Sequence, residues 1–282
     1  MKYDRRRKYY MVLDCETATL PCVSDFPGAA RQKIAIAKPL IYDLGWQIVD
    51  RKGNVYSRKN FLISEIFSVP SVFDTAYYAS KRPIYLEKLA KNEITLTDWR
   101  TATQALVEDM EVVSAVGAYN SMFDFKKAIP FTELYVNMLY STDFYKWEEM
   151  QKESCSNIAN NRKSESKGFD PEIFRFRGKS YPLFDLWGLS CEHILNNDSY
   201  KEMCLDNGWT TASGKYFKTS AETAFRFISG QTDFDEAHTA LDDAIIETEL
   251  LAKIMKKKAS NLSMGITYFP FRILGTVESF EF

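Results

Sequence analysis

Histidine is almost absent: only His193 and His238 stand in the 282 residues. That scarcity excludes metal centres built from several imidazoles. Cysteine is nearly as sparse, with five residues, Cys15, Cys22, Cys155, Cys191 and Cys204. An odd, scattered set with no CxxC pair excludes a disulfide framework and a cysteine zinc site, and reads as reduced thiols in a cytoplasmic protein. Long apolar runs are missing too. None approaches the roughly 20 residues of a membrane-crossing helix, so no membrane partner is expected. The basic run Arg5-Arg6-Arg7-Lys8 is followed by an apolar stretch that reaches only Leu13 before it meets acids, so no secretory leader is expected either. The net charge is small, −2, which excludes a nucleic-acid binder that works by bulk charge alone. It leaves room for an enzyme that grips phosphates through metal ions and local basic patches.

What is present points elsewhere. Aromatic residues are plentiful, with 20 Phe and 16 Tyr, most of them expected in a well-filled core. Tyr9 to Leu13 has the composition of a buried strand, and the run ends in two acids, Asp14 and Glu16. Residues two apart on an extended strand share a face. Two carboxylates crowded there repel each other and usually need a cation. A strand running out into a solvated loop would carry the same letters. Further acids elsewhere in the chain decide between the two readings.

A loop with Pro21, Pro27 and Gly28 follows the first strand. Two alternating runs, Leu40 to Val49 and Val55 to Ile63, flank the turn signal Asp50-Arg51-Lys52-Gly53-Asn54 and predict a β-hairpin beside that strand. Ser71 to Ala90 reads as helix interrupted near Pro83, and Thr97 as the N-cap of a helix from Asp98 to about Met110. Val112 to Tyr119 predicts a buried strand, after which Asn120 or Ser121 caps a helix with Asp124 in its first turn. Residues 130–180 read as an insertion that includes a polar surface loop, Ser154 to Gly168. Arg175-Phe176-Arg177-Gly178-Lys179 fits either a phosphate contact or a solvated edge strand. Leu183 to Leu186 is a short strand leading into a helix that carries His193, read as structural. Ser220 or Thr219 caps a helix from Ala221 to about Ile228, and a phosphate contact by Lys218-Thr219-Ser220 is the less favoured reading. The last helix spans about Thr239 to Lys258, with Leu241, Ala244, Ile245, Thr248, Leu251 and Ile254 at helical spacing. With no repeat and no clean linker, 1–282 is expected to form a single domain on which the apolar tail, 260–282, packs.

Further acids do recur at element ends. Asp14 and Glu16 close a strand, Asp124 opens a helix, and His238 and Asp243 frame the start of the last helix. A residue just before a helix and one a turn into it can face one site, whereas Asp242 points roughly 100 degrees away. The motifs Leu13-Asp14-Cys15-Glu16-Thr17, Asn120-Ser121-Met122-Phe123-Asp124 and His238-Thr239-Ala240-Leu241-Asp242-Asp243 together resemble those of the DEDDh, or DnaQ-like, 3′–5′ exonucleases. The likeness spans about residues 9 to 255, and the last motif is similar to the oligoribonuclease version with its two adjacent acids.

The resemblance implies an RNase H-like α/β fold, a mixed sheet with a β-hairpin and flanking helices. It implies two divalent ions, Mg²⁺ or Mn²⁺, on Asp14, Glu16, Asp124 and Asp243, an oxygen set that suits hard cations. Asp14 would bridge both ions, Glu16 and Asp243 would complete the site of the attacking water, and Asp124 would serve the leaving-group side. His238, with an ordinary pKa near 6.5, would take the water's proton. Thr17, Asn120 and Phe123 would contact the substrate, the 3′ end of DNA or RNA. Two departures stand out: Ala18 occupies a position where many members carry a second Thr, and Asp242 is an extra acid expected to turn away. Cys15 is expected to point into the core and play no chemical part. Two rival readings stay open, a catalytically inactive binding module on the same fold and a phosphodiesterase on a small nucleotide. A polymerase partner and a homo-oligomer stay open too.

Overall fold

The computed structural model describes residues 8–20, 38–140, 172–257 and 269–280. The expected loop around Pro21 and Gly28, the polar run Ser154–Gly168, Cys22, Cys155 and Arg5–Arg7 lie outside them. The described strands are β1 (Tyr9–Leu20), β2 (Lys38–Asp50), β3 (Val55–Ile63), β4 (Thr95–Thr97), β5 (Ala115–Ala118), β6 (Ile173–Phe176) and β7 (Lys179–Asp185). They form one sheet in the order β4-β3-β2-β1-β5-β7-β6. β2 is antiparallel to both β1 and β3, the expected hairpin, whereas β5 runs parallel to β1 and β7 parallel to β5. A mixed sheet with a hairpin and flanking helices is the α/β architecture that the sequence led us to expect.

Side-chain alternation along β1 divides two apolar cores. Tyr9, Met11, Leu13 and Cys15 face one cluster, while Tyr10 and Val12 face the other. Asp14 and Glu16 continue the register of Tyr10 and Val12, so the acids emerge on the second cluster's side. That side is covered by the final helix, Ala240–Lys257, through Ile246, Leu250, Leu251 and Ile254. The alternating positions of β2 prepare its seat. Asp43 accepts the Ala240 N–H at 2.9 Å, and Gln47 Nε2 reaches Ala244 O and Thr248 Oγ1, each at 3.3 Å. Between them Gly45 leaves no room for a side chain, since a Cβ there would stand 2.3 Å from the Leu241 backbone nitrogen. Gly117 on β5 has the same office toward the ring of Phe184.

Several expectations are corrected. The first strand does not stop at the acids but continues to Leu20, because the β2 ladder runs beside it to Lys38 with one irregularity between Glu16 and Thr17. The expected interruption near Pro83 is present, but it lies before the proline: Pro70–Phe73 is one short helix and Arg82–Ala90 another, with Pro83 in its first turn, where a missing N–H costs nothing. The cap of the Trp99–Met110 helix is Asp98, which accepts the Thr101 N–H, and Thr97 belongs to β4. Asn120 makes no side-chain cap; Ser121 instead donates its hydroxyl to Phe184 O at 2.6 Å. On the last helix Leu241 and Ile245 are only partly covered, and Ile246 and Leu250 lead the buried stripe. Within 130–180, Ile129–Leu139 is helix, and Phe174 and Phe176 on β6 join the first core. The basic segment is the edge strand β6 and its turn, at Arg177 and Gly178, both with positive φ. In the tail, Phe271 stacks on Trp187 and Leu274 is buried.

Candidate active site

Four elements deliver carboxylates to one cleft of about 500 Å³. β1 supplies Asp14 and Glu16, the turn after β5 supplies Asp124, the loop before the final helix supplies Glu236 and His238, and the helix itself supplies Asp243 and Glu247. Asp124 opens a wide π-type turn, Asp124–Ala128, which departs from the regular helix that the sequence suggested. Its Oδ1 accepts a hydrogen bond from Cys15 Sγ at 3.0 Å. Cys15 therefore lies on the core side of β1, as its position between the acids implies, yet it also anchors a site carboxylate.

The acids strain against one another. Burial, then the charges of Glu247, Asp124, Asp243 and Glu16, push Asp14 well above the usual carboxylate range. Burial and the neighbouring Asp243 raise Glu16 to about 9. Burial and Glu236 raise Asp243 to about 8, and burial raises Asp124 to about 7. Glu236 is raised to about 7 by burial and Glu222. One acceptor, Asp243 Oδ1, is buried with no hydrogen-bond partner. Like charges packed this tightly are relieved by protons or by a cation. One ligand atom each from Glu16, His238 and Asp243 lies within 4.8 Å of the others. An oxygen-rich set of this kind fits a hard divalent ion.

His238 is held from three directions. Its ring stacks on Tyr78 with centroids 4.3 Å apart and planes 13° apart. Lys81 Nζ donates to the preceding Ala237 carbonyl at 2.5 Å, and Tyr85 Oη donates to the His238 carbonyl at 3.5 Å. The residue adopts φ +52°, a left-handed conformation that such anchors sustain. Nδ1 lies 3.6 Å from Glu236 and 4.0 Å from Asp243. Burial and the nearby Lys81 lower the ring's pKa, which favours the neutral imidazole.

The structure brings Asp14, Glu16, Asp124, His238 and Asp243 to one cleft, with Asn120 and Phe123 on its wall. Thr17, one residue beyond the irregularity in β1, is not among the side chains that line it. Asp242 turns to Lys88 and Thr239, at 2.5 and 2.6 Å. Ser220 caps its helix through the Thr223 N–H, and Lys218 pairs with Glu222 at 3.7 Å while bordering the cleft. Sequence reasoning missed Glu247, Asp43, Glu236 and Tyr78. Glu247 had a signal, since it lies one turn past Asp243 on the helix's buried face. Asp43 had one too, as an acid inside an apolar strand run.

No family model matches the chain, and no curated protein matches it. Among solved structures, S. pombe Pop2p in its Mg²⁺- and Mn²⁺-bound form is similar at 12% identity with a TM-score of 0.38, over 88% of this chain and 83% of that one.

Proposed function

We propose that the protein is a metal-dependent 3′–5′ exonuclease of the DEDDh type, acting on single-stranded DNA or short RNA. The observation that supports this most is the set of mutually repelling carboxylates Asp14, Glu16, Asp124 and Asp243 around one cleft, with the Asp243 Oδ1 acceptor buried and unpartnered. Two divalent ions, Mg²⁺ or Mn²⁺, would be held by those four residues. When bound, such ions acidify a coordinated water and neutralise charge on the phosphate and the leaving oxygen.

The chain's own groups do the rest. His238 takes the proton of the attacking water at Nδ1, the ring nitrogen that faces Asp243. Its lowered pKa favours the unprotonated ring that such a step requires. The water oxygen bonds to phosphorus as the bond to the 3′ oxygen breaks. Tyr78 fixes the imidazole plane, and Phe123 and Asn120 present an apolar and a polar contact to the terminal nucleotide. The net charge of −2 fits a protein that holds its polyanion through ions at the site rather than through bulk charge.

The test is direct. With Mg²⁺ or Mn²⁺ the purified chain should shorten a 5′-labelled strand stepwise from its 3′ end, releasing mononucleotides. Asp14→Ala should abolish this while leaving the circular dichroism spectrum intact. A substrate panel of DNA, RNA, dinucleotides and cyclic nucleotides separates the exonuclease from a small-nucleotide phosphodiesterase. Full activity of Asp14→Ala would remove the assignment.

A further inference from the structure

Among the described residues that line the cleft, Lys218 is the one lysine or arginine, and carboxylates dominate the rest of the wall. It stands just before the Ala221–Ser229 helix, and nothing in the four-carboxylate scheme uses it. Its nearest acid does not need it. Nζ lies 3.7 Å from Glu222 Oε2, too far for a hydrogen bond. Arg226, one turn along the helix, takes the other Glu222 oxygen at 3.1 Å. Lys218 is held by its backbone instead. Its N–H donates to Trp209 O at 2.9 Å, and its carbonyl accepts the Tyr200 hydroxyl at 2.6 Å. The next residue is pinned too, since Tyr119 Oη donates to Thr219 O and Trp187 Nε1 to Thr219 Oγ1, at 2.8 and 2.9 Å.

Phe217 and Thr219 are buried, so the extended segment turns Tyr216 and Lys218 to the other side, away from the core. There Tyr216 meets Phe271 edge-on, with centroids 4.9 Å apart. An ammonium fixed at the mouth of a cleft with aromatic rings beside it suits single-stranded nucleic acid, a charge for the phosphate and rings for the bases. We propose that Lys218 holds a phosphate of the substrate strand at the mouth of the cleft, at a linkage other than the one that is cut. This rests on the reading of the protein as an enzyme on single strands given above. In that reading the scissile phosphate belongs to the ions. Lys218, with its side chain 45% exposed at the rim, is placed for a linkage further out and sets how far the strand enters. Its charge also bears on Glu236, whose pKa it lowers; that role involves no strand, and the two are separable.

Strand binding to the full chain with Mn²⁺ is measured by fluorescence anisotropy. The probe is a short oligothymidylate whose 3′-terminal linkage is a methylphosphonate, which resists cleavage and carries no charge. We expect Lys218→Ala to bind it about three- to ten-fold more weakly. The slope of log affinity against log salt should be shallower by about 0.7, the loss of one phosphate contact. Lys218→Arg should restore both, and Mn²⁺ binding, followed by calorimetry, should not fall in either variant. A second methylphosphonate, walked along the strand, should weaken binding to the parent at one linkage and leave Lys218→Ala indifferent there. Lys218→Gln serves if the Ala variant fails to fold. Parental affinity in Lys218→Ala, or weaker binding with an unchanged salt slope, would overturn the inference and leave Lys218 as a neighbour of Glu222 and Glu236. A parent that binds the strand with this dependence on Lys218 yet cleaves no unmodified strand would keep the inference and remove the exonuclease reading. A parent that binds neither strand would overturn both.

Discussion

The ring position of His238 suits either of two roles, base or ligand, and one substitution tells them apart. As a base it would move a proton; as a ligand it would join Glu16 and Asp243, whose ligand atoms are within 4.8 Å of its own. His238→Ala is expected to slow turnover by about 10²- to 10⁴-fold while Mn²⁺ binding, followed by calorimetry, is kept. Loss of Mn²⁺ binding together with turnover would reassign the imidazole to the metal. Tyr78→Ala leaves the imidazole chemically intact but removes the plane it stacks on. It should lower kcat less than His238→Ala does, with KM for metal unchanged.

At the scale of elements, the final helix and β2 act as one assembly. Asp43, Gly45 and Gln47 meet successive points along that helix, and their alternation is what turns β2 into its seat. Gly45→Ala should destabilise the fold by about 1–3 kcal/mol, because the added Cβ meets backbone at 2.3 Å that cannot swing aside. It should also weaken Mn²⁺ binding, since the helix carries Asp243. Denaturant melts and calorimetry check the two halves, and a parental midpoint would refute the close packing. Asp43→Ala removes the acceptor for the helix's first N–H and should cost about 1–2 kcal/mol, read in the same melts.

The hairpin, the buried first strand and the last helix were legible because each rests on local periodicity. So was the gathering of Asp14, Glu16, Asp124, His238 and Asp243 in one cleft, because their motifs stand in order along the chain. The extension of β1 to Leu20 was not, because the ladder that supports it is formed with residues as far off as Lys38. Glu247 and Asp43 were hidden for a related reason. Their letters look like a helix acid and a strand interruption until the helix lies on the sheet.

For the whole molecule, the carboxylates make stability depend on pH and on metal together. Glu16 at about 9, Asp243 at about 8 and Asp124 at about 7 all lie above the ordinary range near 4. Between about pH 4 and 9 the metal-free fold therefore holds protons that the unfolded chain has released. Stability must then fall as pH rises through that window. The metal-free melting temperature should drop from pH 5 to pH 8, and saturating Mg²⁺ or Mn²⁺ should flatten the slope. A metal-free melting temperature that climbs over the same interval would contradict the cluster's charge balance.

The bond from Ala240 to Asp43 spans 197 positions of sequence. Asp14 and Glu16 are made early during synthesis, whereas Asp243 and His238 come late and find their place only when the helix lands on β2. A ribosome-bound chain that has passed β3 carries Asp14 and Glu16 but not the helix that brings Asp243 beside them. The cleft is therefore completed last, and whatever chemistry it carries waits until the chain has closed on itself.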